Sequence, residues 1–177
     1  MGSALILCGI KHCGKSTLGR GLAALLGIPF RDTDELLEQA VGVPVRVFFR
    51  EAGEAAFRLR ETEILKGLSG ETPQVISLGG GALEKEENGA LIRELGTLIW
   101  CDTDEETAFR RVLRRGLPPF LAGSPDPRKE FSERNRARRA LFERLCDVRF
   151  VPGPRLPAAE NVRNLRRLLQ EKGIIGL

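Results

Sequence analysis

Gly9-Ile10-Lys11-His12-Cys13-Gly14-Lys15-Ser16 fits G-x-x-x-x-G-K-[ST], and it lies between an apolar run, Ala4 to Cys8, and a helical pattern that opens near Lys15. A strand, a glycine-bounded loop and a helix in that order form a phosphate cradle. Gly9 and Gly14 let successive backbone N–H groups turn inward on phosphate oxygens, and the helix N-terminus adds its partial positive charge. Lys15 is predicted to reach the β- and γ-phosphates of a nucleotide, and the Ser16 hydroxyl to take a place on Mg²⁺. A glycine-rich turn that binds nothing leaves the full motif and its strand-to-helix context unexplained.

Working outward, short β-type runs alternate with helical patterns. Ala4 to Cys8, Pro29 to Arg31, Val75 to Leu78, Thr97 to Cys101 and Val148 to Val151 read as strands, mostly continuous in apolar residues, as strands covered on both faces are. Helices are predicted over Lys15 to Leu26, Asp34 to Ala40, Gly53 to Leu68, Lys85 to Leu95, Asp104 to Arg115, Lys129 to Leu145 and Ala159 to Lys172. This alternation belongs to an α/β fold with a parallel sheet and right-handed crossovers. No repeat or linker interrupts it, so residues 1–177 are expected to form one domain. Gly116 to Pro127 carries four prolines and two glycines between two arginine-rich helices, and residues 112–127 are read as a lid that shuts water out of a phosphoryl transfer.

A chain of 177 residues with 42% hydrophobic and 29% charged residues is an ordinary globular protein, without an apolar stretch long enough to span a bilayer or a basic region ahead of Leu5 to suggest a signal peptide. Its four cysteines, Cys8, Cys13, Cys101 and Cys146, form no C-x-x-C pair and its only histidine is His12. Zinc is therefore not expected, and free thiols in a reducing cytoplasm are. Cys13, inside the loop, reads as an inert small residue rather than an oxidation-sensitive one. The net charge of +4 and the arginine clusters Arg110, Arg111, Arg114, Arg115 and Arg134, Arg136, Arg138, Arg139 raise the question of nucleic acid. No aromatic interleaving, zinc finger or basic zipper accompanies them, and solvated helix faces and anionic small molecules account for such cations.

Asp32 and Asp34 in Phe30-Arg31-Asp32-Thr33-Asp34 follow the second predicted strand, at the sheet edge where open α/β sheets bind ligands. Either could simply cap the following helix. Beside a phosphate loop, Mg²⁺ wants a carboxylate in addition to Ser16, and an acceptor hydroxyl wants a proton acceptor. Arg58 is either a surface ion-pair partner or a planar fork for a substrate carboxylate, oriented by Glu61 one turn later. Gly79-Gly80-Gly81 removes every Cβ where backbone would approach a ligand.

Taken together, Gly14-Lys15-Ser16-Thr17, Asp32-Thr33-Asp34, Gly53-Glu54-x-x-Phe57-Arg58, Ser77-Leu78-Gly79-Gly80-Gly81 and Arg138-x-x-Leu141-Phe142 resemble shikimate kinase over essentially the whole chain. The resemblance implies a P-loop kinase three-layer sandwich with a five-stranded parallel sheet in 2-3-1-4-5 order. It implies transfer of the ATP γ-phosphoryl group to the 3-hydroxyl of shikimate, with Mg²⁺, by a cytoplasmic enzyme expected to be a monomer that engages neither nucleic acid nor membrane. Lys11, His12, Cys13, Gly14, Lys15, Ser16 and Thr17 then bind nucleotide, and Arg110 and Pro157 flank adenine. Ser16 and Asp32 serve the metal. Asp34, Arg58, Gly80, Gly81 and Arg138 hold the acceptor within a helical region over residues 34–68 and beyond, and Lys15, Asp34 and Arg138 carry the chemistry.

Two departures from the family stand out. Its lid usually reads Arg-Pro-Leu-Leu, where this chain has Pro118-Pro119-Phe120-Leu121, and its loop interior is usually uncharged, where this chain has Lys11 and His12. Lys11, Arg114 or Arg115 is the expected substitute for the missing guanidinium. A P-loop kinase of another small polyhydroxy acid and a catalytically silent nucleotide-binding homologue remain the alternatives.

Overall fold

β1 (Ala4–Cys8) is buried along its whole length and pairs in parallel with β3 (Gln74–Ser77) on one side and β4 (Gly96–Cys101) on the other. The molecule is a computed structural model that describes residues 3–118 and 121–176. β2 (Phe30–Asp32) joins β3 and β5 (Val148–Phe150) joins β4, giving one parallel sheet in the order β2-β3-β1-β4-β5. The two edge strands each expose a central arginine, Arg31 or Arg149, whereas Ile6, Leu7, Ile76 and Ile99 in the inner strands are wholly buried. Continuous apolar runs and burial on both faces go together here, as the composition of the inner strands predicts.

The helices are α1 (Lys15–Leu26), α2 (Thr33–Val41), α3 (Val45–Lys66), α4 (Glu86–Leu95), α5 (Glu105–Arg115), α6 (Pro127–Leu145) and α7 (Ala158–Glu171), with a 3₁₀ turn at Ala82–Glu84. α1 and α7 pack so closely that a Cβ on Gly21 would lie 2.6 Å from Val162. Because every strand is parallel, the segments after β1, β2, β3 and β4 all emerge at one sheet edge, and the site lies there. Among the described residues no helix is long and apolar enough to cross a membrane.

Most boundaries shift from the sequence reading by one or two residues, and three differences bear on the site. β2 ends on Asp32 rather than Arg31, which turns that carboxylate into the last residue of a strand. α6 starts at Pro127, where the Asp126 side chain accepts the Lys129 N–H and proline sits at the helix start. The third difference is larger. α3 begins at Val45 and is broken at Gly53 (φ 82°), so a helical segment over 45–52 precedes the one expected from Gly53. Its β-branched and aromatic residues argue weakly for helix. Tertiary contacts decide: Glu38 of α2 accepts the Val45 N–H at 2.9 Å, and Phe49 meets Phe57 edge to face at 5.5 Å between ring centroids.

Candidate active site

The phosphate loop bends inward through two left-handed residues, His12 (φ 60°) and Gly14 (φ 100°), the first being the only non-glycine residue with positive φ among those described. Such a conformation costs free energy and persists where the surroundings impose it. Here Arg111 donates to the His12 carbonyl at 3.0 Å and Thr103 to the Cys13 carbonyl at 2.8 Å. Behind Thr103 stands a further support: Arg139 donates to both the Asp102 carboxylate and the Thr103 carbonyl, and Arg149 to the other Asp102 oxygen. Asp102 is 6% exposed, so its charge is compensated from both sides.

Lys15 is 8% exposed and folded back, its ammonium donating to the carbonyls of Gly9 at 3.0 Å and Ile10 at 3.1 Å. Ser16 donates to Asp32 Oδ2 at 2.6 Å, while Asp32 Oδ1 accepts the Asp34 N–H at 3.0 Å. Asp32 therefore does both things its position allows: it caps α2 and it holds the loop serine. A hydroxyl and a carboxylate so placed are hard oxygen donors suited to Mg²⁺, which completes its shell with phosphate oxygens and water. Among the described residues no group of three or more histidine, cysteine or acidic side chains is placed to hold a metal ion.

These groups line a cavity of about 440 Å³ that runs from Lys11 and Lys15 past Thr107 and Arg111 to Gly153 and Asn161. Arg111, not the expected Arg110, faces it. Arg110 is exposed, bonded to Thr107 and 4.0 Å from Glu106. One helical residue decides which of two adjacent arginines turns toward the loop. Pro157 caps α7 from an exposed position, with its neighbours Leu156 and Ala158 on the cavity wall.

A smaller cavity of about 80 Å³ opens beside the first, lined by Val45, Phe49, Phe57, Arg58, Arg134 and Arg138 among others. Arg58 donates to Glu61 at 2.9 Å and to Glu84 at 3.1 Å, and Arg138, 4% exposed, donates to the other Glu84 oxygen at 2.8 Å. Glu84 thus bridges two guanidiniums. Burial pushes the Glu84 carboxyl up, but its bond to Arg138 and the charges of Arg138 and Arg58 outweigh burial and hold it below the ordinary range. Glu61 goes the other way, since its burial outweighs the Arg58 contact. Glycines make this possible: a Cβ on Gly81 would lie 2.5 Å from Arg58, and one on Gly79 would lie 2.8 Å from both Asp34 and Glu61.

Lys11, Asp34 and Gly80 line both cavities. Lys11 Nζ lies 3.9 Å from Asp34 Oδ2. Burial raises the Asp34 carboxyl, Lys11 lowers it and Asp32 raises it, with a net upward displacement. His12 is brought down to about 4, chiefly by burial and further by the positive charges of Lys11, Arg115, Lys15 and Arg46.

The profile of the family described as "Shikimate kinase" matches residues 11–170. The chain is 37% identical over 171 residues to the shikimate kinase of Symbiobacterium thermophilum, covering 96% of this chain and 97% of that one. It is 41% identical over 159 residues to that of Caulobacter vibrioides, covering 89% and 79%. The chain belongs to the shikimate kinase family. The solved structure of the Acinetobacter baumannii shikimate kinase in complex with shikimate superposes with a TM-score of 0.89 at 26% identity, covering 96% of this chain and 94% of that one.

Within this shikimate kinase fold, the structure brings Lys11, Lys15, Ser16, Asp32, Asp34, Arg58, Gly80, Gly81 and Arg138 to two adjoining cavities. Of the candidate replacements for the lid guanidinium, Lys11 lines both cavities, Arg115 lines the first, and Arg114 is exposed on α5. Pro118 lines the second, while Pro119 and Phe120 lie outside the described residues. Sequence reasoning missed Glu84, Thr103, Asp102, Arg111 and Arg139 as site residues. Glu84 follows the triple glycine by one 3₁₀ turn and signals itself only in hindsight, as a carboxylate beside a predicted anion site.

Proposed function

We propose that this chain uses ATP to phosphorylate the 3-hydroxyl of shikimate, with nucleotide in the larger cavity and acceptor in the smaller. The observation that carries the reading is the junction: a phosphoryl group passing from one cavity to the other meets Lys11, Asp34 and the Gly80 backbone on the way. Lys15, now resting on the Gly9 and Ile10 carbonyls, swings onto the β- and γ-phosphates, and the loop N–H groups neutralise their remaining charge. Mg²⁺, held by Ser16 and Asp32, supplies charge neutralisation on the phosphates when bound. Asp34 orients the acceptor hydroxyl and takes its proton, a role suited to a carboxyl whose affinity for protons is raised by burial.

Arg58 and Arg138, both bonded to Glu84 and both lining the smaller cavity, bind the shikimate carboxylate. Phe49 and Phe57 close the apolar side of that cavity and help keep water out. Residues 34–68, the 3₁₀ turn and α6 form the acceptor region of a single domain, and residues 112–127 act as the lid. Arg46, donating to the carbonyls of Arg115 and Gly116, ties the lid base to the acceptor helix. We place the reaction in the cytoplasm and assign it to a monomer without nucleic-acid or membrane partners. The test is ADP formation, followed by a coupled assay, across a panel of polyhydroxy acids: shikimate is expected to give the highest kcat/KM, and a stronger response to any other acid overturns the assignment.

A further inference from the structure

Cys8 ends β1 one residue before the phosphate loop, and Cys146 caps the C-terminus of α6 just ahead of β5; they are 138 residues apart in sequence, yet their sulfurs lie 3.2 Å apart. Both thiols are free, and the chemistry above uses neither. We propose that Cys8 and Cys146 are a reversible thiol–disulfide site, closed by hydroperoxide, that staples the strand feeding the phosphate loop to the helix carrying Arg138. A disulfide bond of about 2.0 Å needs the sulfurs to approach by roughly one ångström, a small movement for a residue at a helix end whose backbone is already extended.

The two partners differ in a way that orders the steps. Cys8 is 2% exposed, whereas Cys146 is half-buried, so an oxidant meets Cys146 first. The Cys146 sulfur attacks one peroxide oxygen; an S–O bond forms, the O–O bond breaks, and the departing hydroxide leaves as water with the thiol proton. The Cys8 sulfur then attacks the sulfenic sulfur; the S–S bond forms, the S–O bond breaks, and the hydroxyl leaves as a second water with the Cys8 proton. Two thiols and one hydrogen peroxide become one disulfide and two waters, the sulfurs losing the two electrons that the peroxide oxygens gain. Burial and contact with Cys146 hold the Cys8 thiol protonated and inert toward oxidant in solution, so Cys146 is the way in. Cys13 and Cys101, at 2% and 0% exposure, offer no comparable access. Under reducing conditions the pair rests open and closes transiently.

The test treats the folded full-length chain with one equivalent of hydrogen peroxide. Titratable thiols should fall from the four in the sequence to two, and a non-reducing peptide map should join the Cys8 and Cys146 peptides. Dithiothreitol should reverse both changes, and the closed form should unfold on the order of 5 °C higher, as expected for a cross-link over so long a loop. Cys146→Ser should leave Cys8 reduced over the same interval, and Cys8→Ser should leave a Cys146 sulfenic acid that dimedone traps. Should Cys8→Ser fail to fold, the wild-type map decides alone. A map joining any other pair, a link between two chains, or thiol loss no faster than global unfolding overturns the proposal.

Discussion

The two cavities are built from different materials. The nucleotide side is made largely of backbone: eight contiguous residues bend around a space, and its supports, Thr103, Arg111 and the Asp102–Arg139–Arg149 group, act by holding carbonyls in place. The acceptor side is made of charged side chains from α2, α3, the 3₁₀ turn and α6, which neutralise one another in the described state and are arranged by Glu61 and Glu84. A backbone cradle reads any triphosphate, since every phosphate presents the same oxygens. A ring of paired charges reads one arrangement of hydroxyls and carboxylate, because a ligand that fails to match leaves buried charge unpaired. The nucleotide side should therefore fail all at once when Lys15 is removed, and the acceptor side by degrees.

Lys15→Met is the largest effect expected. Its value lies in charge delivered to the transferring phosphates, so kcat should fall on the order of 1000-fold while the thermal midpoint stays near that of the parent chain. Activity within a few fold of the parent, with normal unfolding, would refute the phosphate-loop assignment.

Next in size come Asp34, where the cavities meet, and Asp32, which lines the larger one. Asp34→Asn should keep Mg·ATP binding yet lose transfer on the order of 100-fold, because the proton acceptor is gone. Asp32→Asn should instead displace the Mg²⁺ titration to higher concentration. Asparagine caps a helix about as well as aspartate, so Asp32→Asn leaves the start of α2 in place and isolates the effect on the metal. Identical Mg²⁺ titrations for the two variants would show that their roles are divided wrongly.

This contrast also explains what could be read from the sequence. The loop, the strands that precede and follow it, and the Asp32-Thr33-Asp34 turn are local, so spacing and composition reach them, and the sheet order followed from family resemblance. Glu84 acts on Arg58, 26 residues away, and on Arg138, 54 residues away, and no periodicity reports a bond of that range. The helix over 45–52 was hidden because its side chains suit a strand, and its contacts with Glu38 and Phe57 are tertiary. Arg110 and Arg111 differ by one step around α5, and adjacency in sequence cannot say which one turns inward.

On the acceptor side, Arg58→Ala and Arg138→Ala should each cost about 1.5 to 3 kcal/mol in kcat/KM for shikimate, roughly 10- to 100-fold, with lysine a poor rescue because it lacks the planar fork. Glu84→Gln should raise KM more than it lowers kcat, since the arginines remain but lose the anion that aligns them. If both alanine variants stay within about twofold of the parent, the carboxylate is bound elsewhere or the acceptor is not an acid.

Lys11 tests the comparison where the two sides join, because it belongs to the backbone loop yet lies 3.9 Å from the acceptor-side carboxylate Asp34. Standing where the phosphoryl group crosses, it is expected to do the work of the guanidinium that Pro118 replaces. Lys11→Met should lower kcat with shikimate about tenfold, the smallest loss predicted here and near the lower bound for one donor to a developing charge. It should also move the pH profile in a definite direction. Asp34 must be ionised to take a proton, burial already raises its pKa, and Lys11 opposes that rise. Removing the lysine raises the pKa further, so the acid limb of kcat should shift to higher pH, a change that loss of a merely structural lysine would not produce. Pro118→Arg in the otherwise unaltered chain should change the rate only modestly if Lys11 already completes the site. A large gain from Pro118→Arg, with no shift of the acid limb in Lys11→Met, would mean that the junction lacks its cation and that this lid suits a different acceptor.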